Sequence, residues 1–356
     1  MNIQKLTITA QALMADHKGL LAMDESTSTC NRRFAQCGIS QDPEARRRYR
    51  ELIVTAPGLA ESISGAILFD ETLRQRLSGG LPFAEALTRA GIVPGIKVDL
   101  GAKDLAGFPS EKVTEGLDGL RGRLDEYARM GARFAKWRAV IAIGEETPTA
   151  VCLDANAHAL ARYAALCQEA ALVPIVEPEV LMDGGHTIER CEAATRDALR
   201  ALFGELARHR VDLRGLILKP AMVVPGKDGS RPADLAEVAK RTVGAFLDTV
   251  PASVPGIAFL SGGQSGEMAC ARLNAMNADF KGRMPWALTF SFSRAIQHPA
   301  LEIWAGKDVN TKAAQEALVH RARCSRAARQ GRYDPSMEGA APIRTPGDRP
   351  LANQRG

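Results

Sequence analysis

The sequence predicts one α/β domain, a (β/α)8 TIM barrel over residues 1–331, followed by a mobile C-terminal tail, 332–356. Three observations predict it. Eight short apolar runs recur along the chain, several of the segments between them carry helical periodicity, and most runs end in a polar or charged residue. Strands alternating with helices specify a parallel sheet covered by helices. Eight such strands favour a closed barrel over an open sheet, and barrel active sites lie where the strands' C-terminal ends meet.

The runs, in order, are GLLAMD (19–24), GAILFD (65–70), GIKVD (95–99), RFAKWR (133–138), LVPIVE (172–177), LILK (216–219), IAFLS (257–261) and ALTFS (287–291). Apolar residues at three- and four-residue spacing predict helices in 117–131, 157–172, 186–210 and about 311–330. No Pro/Gly-rich linker divides the chain. The last stretch, GRYDPSMEGAAPIRTPGDRPLANQRG, is rich in Gly, Pro and Arg and poor in core formers, which predicts a tail that is solvated or folds over the barrel mouth. The strand ends carry Asp24, Asp70, Asp99, Lys136, Arg138, Glu177, Lys219, Ser261 and Ser291. One polar residue at a strand end marks only where a chain re-enters water; a ring of them describes a catalytic mouth.

Composition narrows the function classes. The 356 residues are 46% hydrophobic and 24% charged, with a net charge of +5. That charge suits anionic small molecules and is too diffuse for nucleic acid. Seven scattered cysteines without a C-x-x-C pair read as reduced thiols in a cytoplasmic protein. The N-terminus lacks the layout of a signal peptide, and no apolar run has membrane-spanning length. The six histidines form no H-x-x-H or H-x-x-x-H pair, so no metal is expected, and no G-x-G-x-x-G follows a strand.

Lys219 follows the apolar LIL and precedes a proline. An ordinary lysine, with a pKa of about 10.4, is protonated and a poor nucleophile; desolvation or a neighbouring cation frees the amine to attack a carbonyl. Lys136 and Arg138 share a strand face in FAKWR, and Lys97 lies in GIKVD. Any one of these lysines alone reads as a side chain snorkelling from a strand end; three together point to imine chemistry. Such chemistry needs carboxylates that move protons, and Glu177, Glu179, Asp24, Glu25 and Asp99 stand at strand ends. Their bland alternative is structural ion pairing with the same cations. Ser261, Gly262 and Gly263 in LSGGQS, with Ser291 and Arg294 in FSFSR, follow the seventh and eighth strands, the usual phosphate site of this barrel.

At these residues the chain resembles class I fructose-bisphosphate aldolase, the metal-free Schiff-base class. The stretches that carry the resemblance include LLAMDESTSTCNRRF, GIKVDLG, FAKWR, VPIVEPEV, LILKPAMVVPG, FLSGGQS and PWALTFSFSRA, which run from the first strand almost to the tail. The resemblance implies Lys219 as the Schiff-base lysine and Glu177 as the proton shuttle that dehydrates the carbinolamine. It implies Asp24 as the group on the C4 hydroxyl, with Lys136 and Arg138 orienting substrate and favouring a neutral Lys219. Glu179 falls on a supporting carboxylate and Lys97 on an active-site lysine. Ser261, Gly262, Gly263, Ser291 and Arg294 fall at one phosphate, Arg33 and Ser26 at the other. It further implies a sugar-phosphate substrate, no cofactor beyond the covalent imine, and a homotetramer.

The chain departs from the pattern in three places. It ends NQRG where family members known from animals and plants end in a tyrosine, its last tyrosine being Tyr333; Ser293 stands where a glycine is usual; and Asp70 replaces a common histidine. The first change motivates a shifted preference, towards sedoheptulose bisphosphate or fructose 1-phosphate. The second is expected to alter backbone donation to phosphate. A non-catalytic barrel scaffold is the reading from a different class, and retention of Lys219, Glu177, Asp24, Lys136 and Arg138 argues against it.

Overall fold

The computed structural model describes residues 3–229 and 233–339. Helix α1 (Ile3–Leu13) precedes β1 (Gly19–Met23), and α2 (Thr27–Gln36) and α3 (Pro43–Val54) lead to β2 (Ile63–Leu68). Then come α4 (Asp70–Arg74), α5 (Phe83–Arg89), β3 (Val93–Lys97), a hairpin of β4 (Ala102–Asp104) and β5 (Lys112–Thr114), and α6 (Leu120–Arg129). Strict alternation follows: β6 (Phe134–Ile141), α7 (Ala150–Glu169), β7 (Val173–Val180), α8 (Ile188–Arg208), β8 (Ile217–Leu218), α9 (Leu235–Thr249), β9 (Gly256–Phe259), α10 (Gly266–Asp279) and β10 (Ala287–Phe292). Helices α11 (Arg294–Trp304) and α12 (Thr311–Arg329) close the ring.

The eight barrel strands pair in parallel in the closed order β1-β10-β9-β8-β7-β6-β3-β2. Closure leaves no unpaired edge. The strands read as unbroken apolar runs because both faces are buried, as all eight residues of β7 are. Their outward side chains join the helices in one large core. A second cluster fills the barrel's lower interior, with Leu20, Phe134, Val173, Ile175, Ile217 and Ala258 meeting Leu6, Ala10 and Leu13 of α1. Helix α1 therefore plugs the floor, at the strands' N-terminal ends. Space inside is tight: a Cβ on Gly95 would lie 2.2 Å from the Phe134 ring, so only glycine fits there.

Local signals start the outer helices. Asp42 accepts from the Ala45 amide at 2.7 Å and Pro43 occupies the first turn of α3. Thr149, Thr187, Asp234 and Ser265 cap α7, α8, α9 and α10 in the same way.

Two local expectations differ from what is observed, and one element was not anticipated. Asp70 does not end a strand at the mouth. It opens α4, where it accepts from Tyr127 Oη at 2.8 Å and pairs with Arg74 at 3.0 Å. The β4–β5 hairpin was not legible, because its three-residue strands show no apolar alternation. The packed chain also runs past residue 331. Tyr333 is buried, its amide donates to Asn274 at 2.8 Å, and a 3-10 turn follows over Pro335–Gly339. The physical reason is Arg321, a buried guanidinium on α12 whose ion-pair partner is Glu338 of this segment. The remainder of the predicted tail, 340–356, lies outside the described residues.

Candidate active site

All fourteen residues singled out for the site line one cleft of about 2000 Å³ at the C-terminal mouth of the barrel. The barrel converges them: Asp24 follows β1, Lys97 ends β3, Lys136 and Arg138 lie on β6, Glu177 and Glu179 on β7, and Lys219 follows β8.

At the centre four buried charges alternate in sign. Lys219 Nζ lies 2.9 Å from Glu177 Oε1, Glu177 Oε2 lies 3.2 Å from Lys136 Nζ, and Lys136 Nζ lies 2.7 Å from Asp24 Oδ2. Burial alone would push the carboxyl groups up and the lysine down. The neighbouring charges win. Lys136 and Lys219 hold Asp24 and Glu177 below the usual carboxylate range against their desolvation. Asp24 and Glu177 together lift Lys136 above an ordinary lysine although it is only 3% exposed. Lys136 is thus a fixed cation between two carboxylates, one of which contacts Lys219.

The sequence grouped Lys136 with Arg138, and the structure gives them different partners. Arg138 pairs with Glu179, and its backbone amide donates to Asp99 Oδ2 at 3.2 Å. Lys97 is tied to Asp99, 2.7 Å from its carboxylate and 2.9 Å from its carbonyl oxygen.

The residues expected to bind an anion also line this cleft. Gly262 and Gly263 have φ of +56° and +91°, which glycine alone adopts without strain, and they turn the chain after β9 into the cleft. Arg294 reaches this turn, its Nη2 lying 3.3 Å from where a Cβ on Gly263 would sit. Among the described residues no carboxylate pairs with Arg294. Ser291 Oγ is buried, has no hydrogen-bond partner among the described residues, and lines the cleft. On the neighbouring wall, after β1, Ser26 caps α2 by accepting from the Thr29 amide at 3.4 Å, which aims that helix N-terminus at the cleft. Arg33 lies on the same wall.

Sequence reasoning missed what holds Arg33. Glu25, adjacent to Asp24, has different ion-pair partners and an almost buried side chain. It pairs with Arg33 at 2.6 Å and with the buried Arg50 at 2.5 Å. Burial would raise the Glu25 carboxyl, yet Arg50 and Arg33 hold it down. Arg50 lies on α3, far from any strand end, so no motif pointed to it. The period-two alternation of extended chain could have separated the directions of Asp24 and Glu25. Among the described residues two groupings of metal-ligand types occur away from the central charges, His158/Glu205/His209 and His320/Cys324/Glu338. In each, an arginine already occupies the carboxylate, Arg208 at 2.6 Å in the first and Arg321 in the second.

The family described as Fructose-bisphosphate aldolase class-I matches residues 5–345. A "Probable fructose-bisphosphate aldolase class 1" from Xanthomonas axonopodis pv. citri is 56% identical over 335 residues, 94% of this chain and 99% of the relative. "Fructose-bisphosphate aldolase 6, cytosolic" from Arabidopsis thaliana is 50% identical over 316 residues, 89% of this chain and 88% of that one. Among solved structures, a fructose-bisphosphate aldolase from Plasmodium falciparum superposes with a TM-score of 0.91 at 45% identity, covering 93% of this chain and 95% of its own.

Proposed function

The chain belongs to the class I fructose-bisphosphate aldolase family and is a lyase acting on fructose bisphosphate, and on that premise we propose that Lys219 carries the reaction as a covalent imine, without a metal. The observation that supports it is the buried 2.9 Å contact between Lys219 Nζ and Glu177 Oε1.

In this reading Glu177 takes a proton from Lys219, and the freed amine attacks the C2 carbonyl. Glu177 then returns protons to the former carbonyl oxygen. Two of the three ammonium protons end on that oxygen, which leaves as water, and the nitrogen keeps one as the iminium. Asp24 accepts the C4 hydroxyl proton, and the C3–C4 electron pair moves into the iminium. The aldehyde, glyceraldehyde 3-phosphate, departs and leaves an enamine. Protonation at C3 restores the iminium, and water releases dihydroxyacetone phosphate. Lys136 stays charged throughout, which keeps Asp24 in the ionised form that a base requires. Arg138, held by Glu179, and Lys97, held by Asp99, orient the sugar hydroxyls. Phosphate contacts at Ser261, Gly262, Gly263, Ser291 and Arg294 on one side, and at Ser26 and Arg33 on the other, fix the reacting carbons.

The same reading makes the enzyme a cytoplasmic homotetramer. The plant relative described as cytosolic supports the compartment. The family supports the assembly, which light scattering of the purified protein would test.

Borohydride trapping tests the chemistry. The protein is incubated with dihydroxyacetone phosphate and excess EDTA, reduced and digested, and the adduct is located by mass spectrometry. The expected result is an adduct on Lys219 that the Lys219→Met variant lacks. Folded protein that forms no adduct would overturn the imine and bring forward the non-catalytic scaffold.

A further inference from the structure

Three serines stand at helix starts around the mouth, and one does not cap its helix. Ser26 accepts from Thr29 N, and Ser265 accepts from Met268 N at 3.1 Å. Ser293, at the N-cap of α11, makes no side-chain cap bond. Its carbonyl oxygen closes the first turn, accepting from the Ile296 and Gln297 amides at 3.0 and 2.9 Å. Its hydroxyl turns away and donates to Glu25 Oε1 at 2.8 Å. That same oxygen accepts from Arg33 Nη1 at 2.6 Å and from Gln297 Nε2 at 3.1 Å. Gln297 is itself fixed by donating to the Ala22 carbonyl at 2.6 Å.

We propose that Ser293 is a specificity-determining positioning residue, whose hydroxyl couples the anion-binding turn before α11, through Glu25, to Arg33 on the neighbouring wall of the mouth, so that a ligand with two phosphates is gripped at both ends at once. The inference rests on the imine reading above, which places one phosphate at Arg294 and the other at Arg33. Two consequences follow from the diverted hydroxyl. The first amides of α11 are left without a side-chain acceptor and stay available to an anion beside Arg294. Glu25, with Ser293 and Gln297 on one oxygen and Arg50 on the other, cannot rotate, so the Arg33 fork is held on the cleft wall before substrate arrives. Holding the fork in advance lowers the ordering cost of binding the far phosphate.

The test compares two substrates on three proteins. Wild type, S293A and S293T are assayed with fructose 1,6-bisphosphate and with fructose 1-phosphate, which lacks the far phosphate. Arg33 keeps its own ion pair with Glu25, so S293A loosens the far grip without removing it and should raise KM for the bisphosphate about three- to tenfold. Turnover at saturation should hold, and KM for the monophosphate should be unchanged. S293T, which keeps the donor, should restore the wild-type ratio. Equal increases for both substrates would assign Ser293 to the near phosphate alone and overturn the coupling; an unchanged ratio would overturn it as well. Trapping with dihydroxyacetone phosphate runs in parallel. Failure of trapping in wild type sinks the imine reading, whereas intact trapping with an unmoved ratio sinks only this inference.

Discussion

At the scale of single residues, the decisive feature is Lys136 between Asp24 and Glu177. A lone buried cation would be costly, and so would either carboxylate; together they hold each other charged. The Lys136→Met variant removes the more effective of the two lysine charges that depress both acids. Their pKa values should rise, so the acidic limb of the pH profile of kcat/KM should move to higher pH. Turnover at neutral pH should fall by about 100-fold or more, because Asp24 loses the 2.7 Å contact that holds it in place as a base, and its protonated fraction grows as well. Profiles of both proteins from pH 4 to 9 check this, and an unmoved acidic limb would show that Lys136 does not set the protonation of the site. The linkage to stability has a definite sign. Asp24 and Glu177 have folded pKa values below their ordinary 3.8 and 4.5, so their contribution is present above those ordinary values and is lost as pH falls through the lowered ones. Acid sensitivity from these two groups therefore belongs below about pH 4. The charged types and their strand ends were legible in the sequence. Which cation meets which carboxylate was not, because pairing depends on register between β6 and β7 and on the turn after β1.

At the scale of elements, the eight strands were legible because each is an apolar run buried on both faces, and α8 and α12 because their apolar stripes are long. Helix α7 starts at Ala150, earlier than its periodicity suggested, because Thr149 caps it. Helix α1 went unread: its stripe is short and its partner is the barrel interior, which no local pattern reveals. Its energetic role is nonetheless specific. Leu6 is fully buried and its Cβ faces Gly215, where an added Cβ would lie 2.8 Å away. Leu6→Ala should cost about 2–5 kcal/mol through the cavity it leaves. Urea unfolding should show a lower midpoint at unchanged slope. Imine trapping on the folded variant should match wild type, since the floor and the mouth are opposite ends of the barrel. A variant that lost trapping while folded would show that α1 acts on the site and does more than seal the floor.

At the scale of the whole molecule, the closed sheet joins first strand to last, and α12 returns to the start of the chain. Arg329 donates to the carbonyl oxygens of Met14, Ala15 and Lys18 in the turn between α1 and β1. No strand can leave such a ring without opening two neighbours, so the barrel should unfold as one cooperative unit. The free cysteines report on this because they are spread around it: Cys30 on α2, Cys152 and Cys167 on α7, Cys191 on α8, Cys270 on α10 and Cys324 on α12 are buried, while Cys37, just past α2, is partly exposed. Burial also pushes the thiols' pKa values up, to about 11 for Cys152 and about 12 for Cys324, which further slows their reaction. Under native conditions an aromatic disulfide reagent should titrate one thiol per chain, Cys37. Through a urea titration the six buried thiols should appear with a single midpoint that coincides with loss of helical circular dichroism and of trapping at Lys219. Two separated thiol transitions, for instance α7 and α8 opening before α10 and α12, would show that the ring holds two independently stable halves, and the single-domain reading of the sequence would then be wrong.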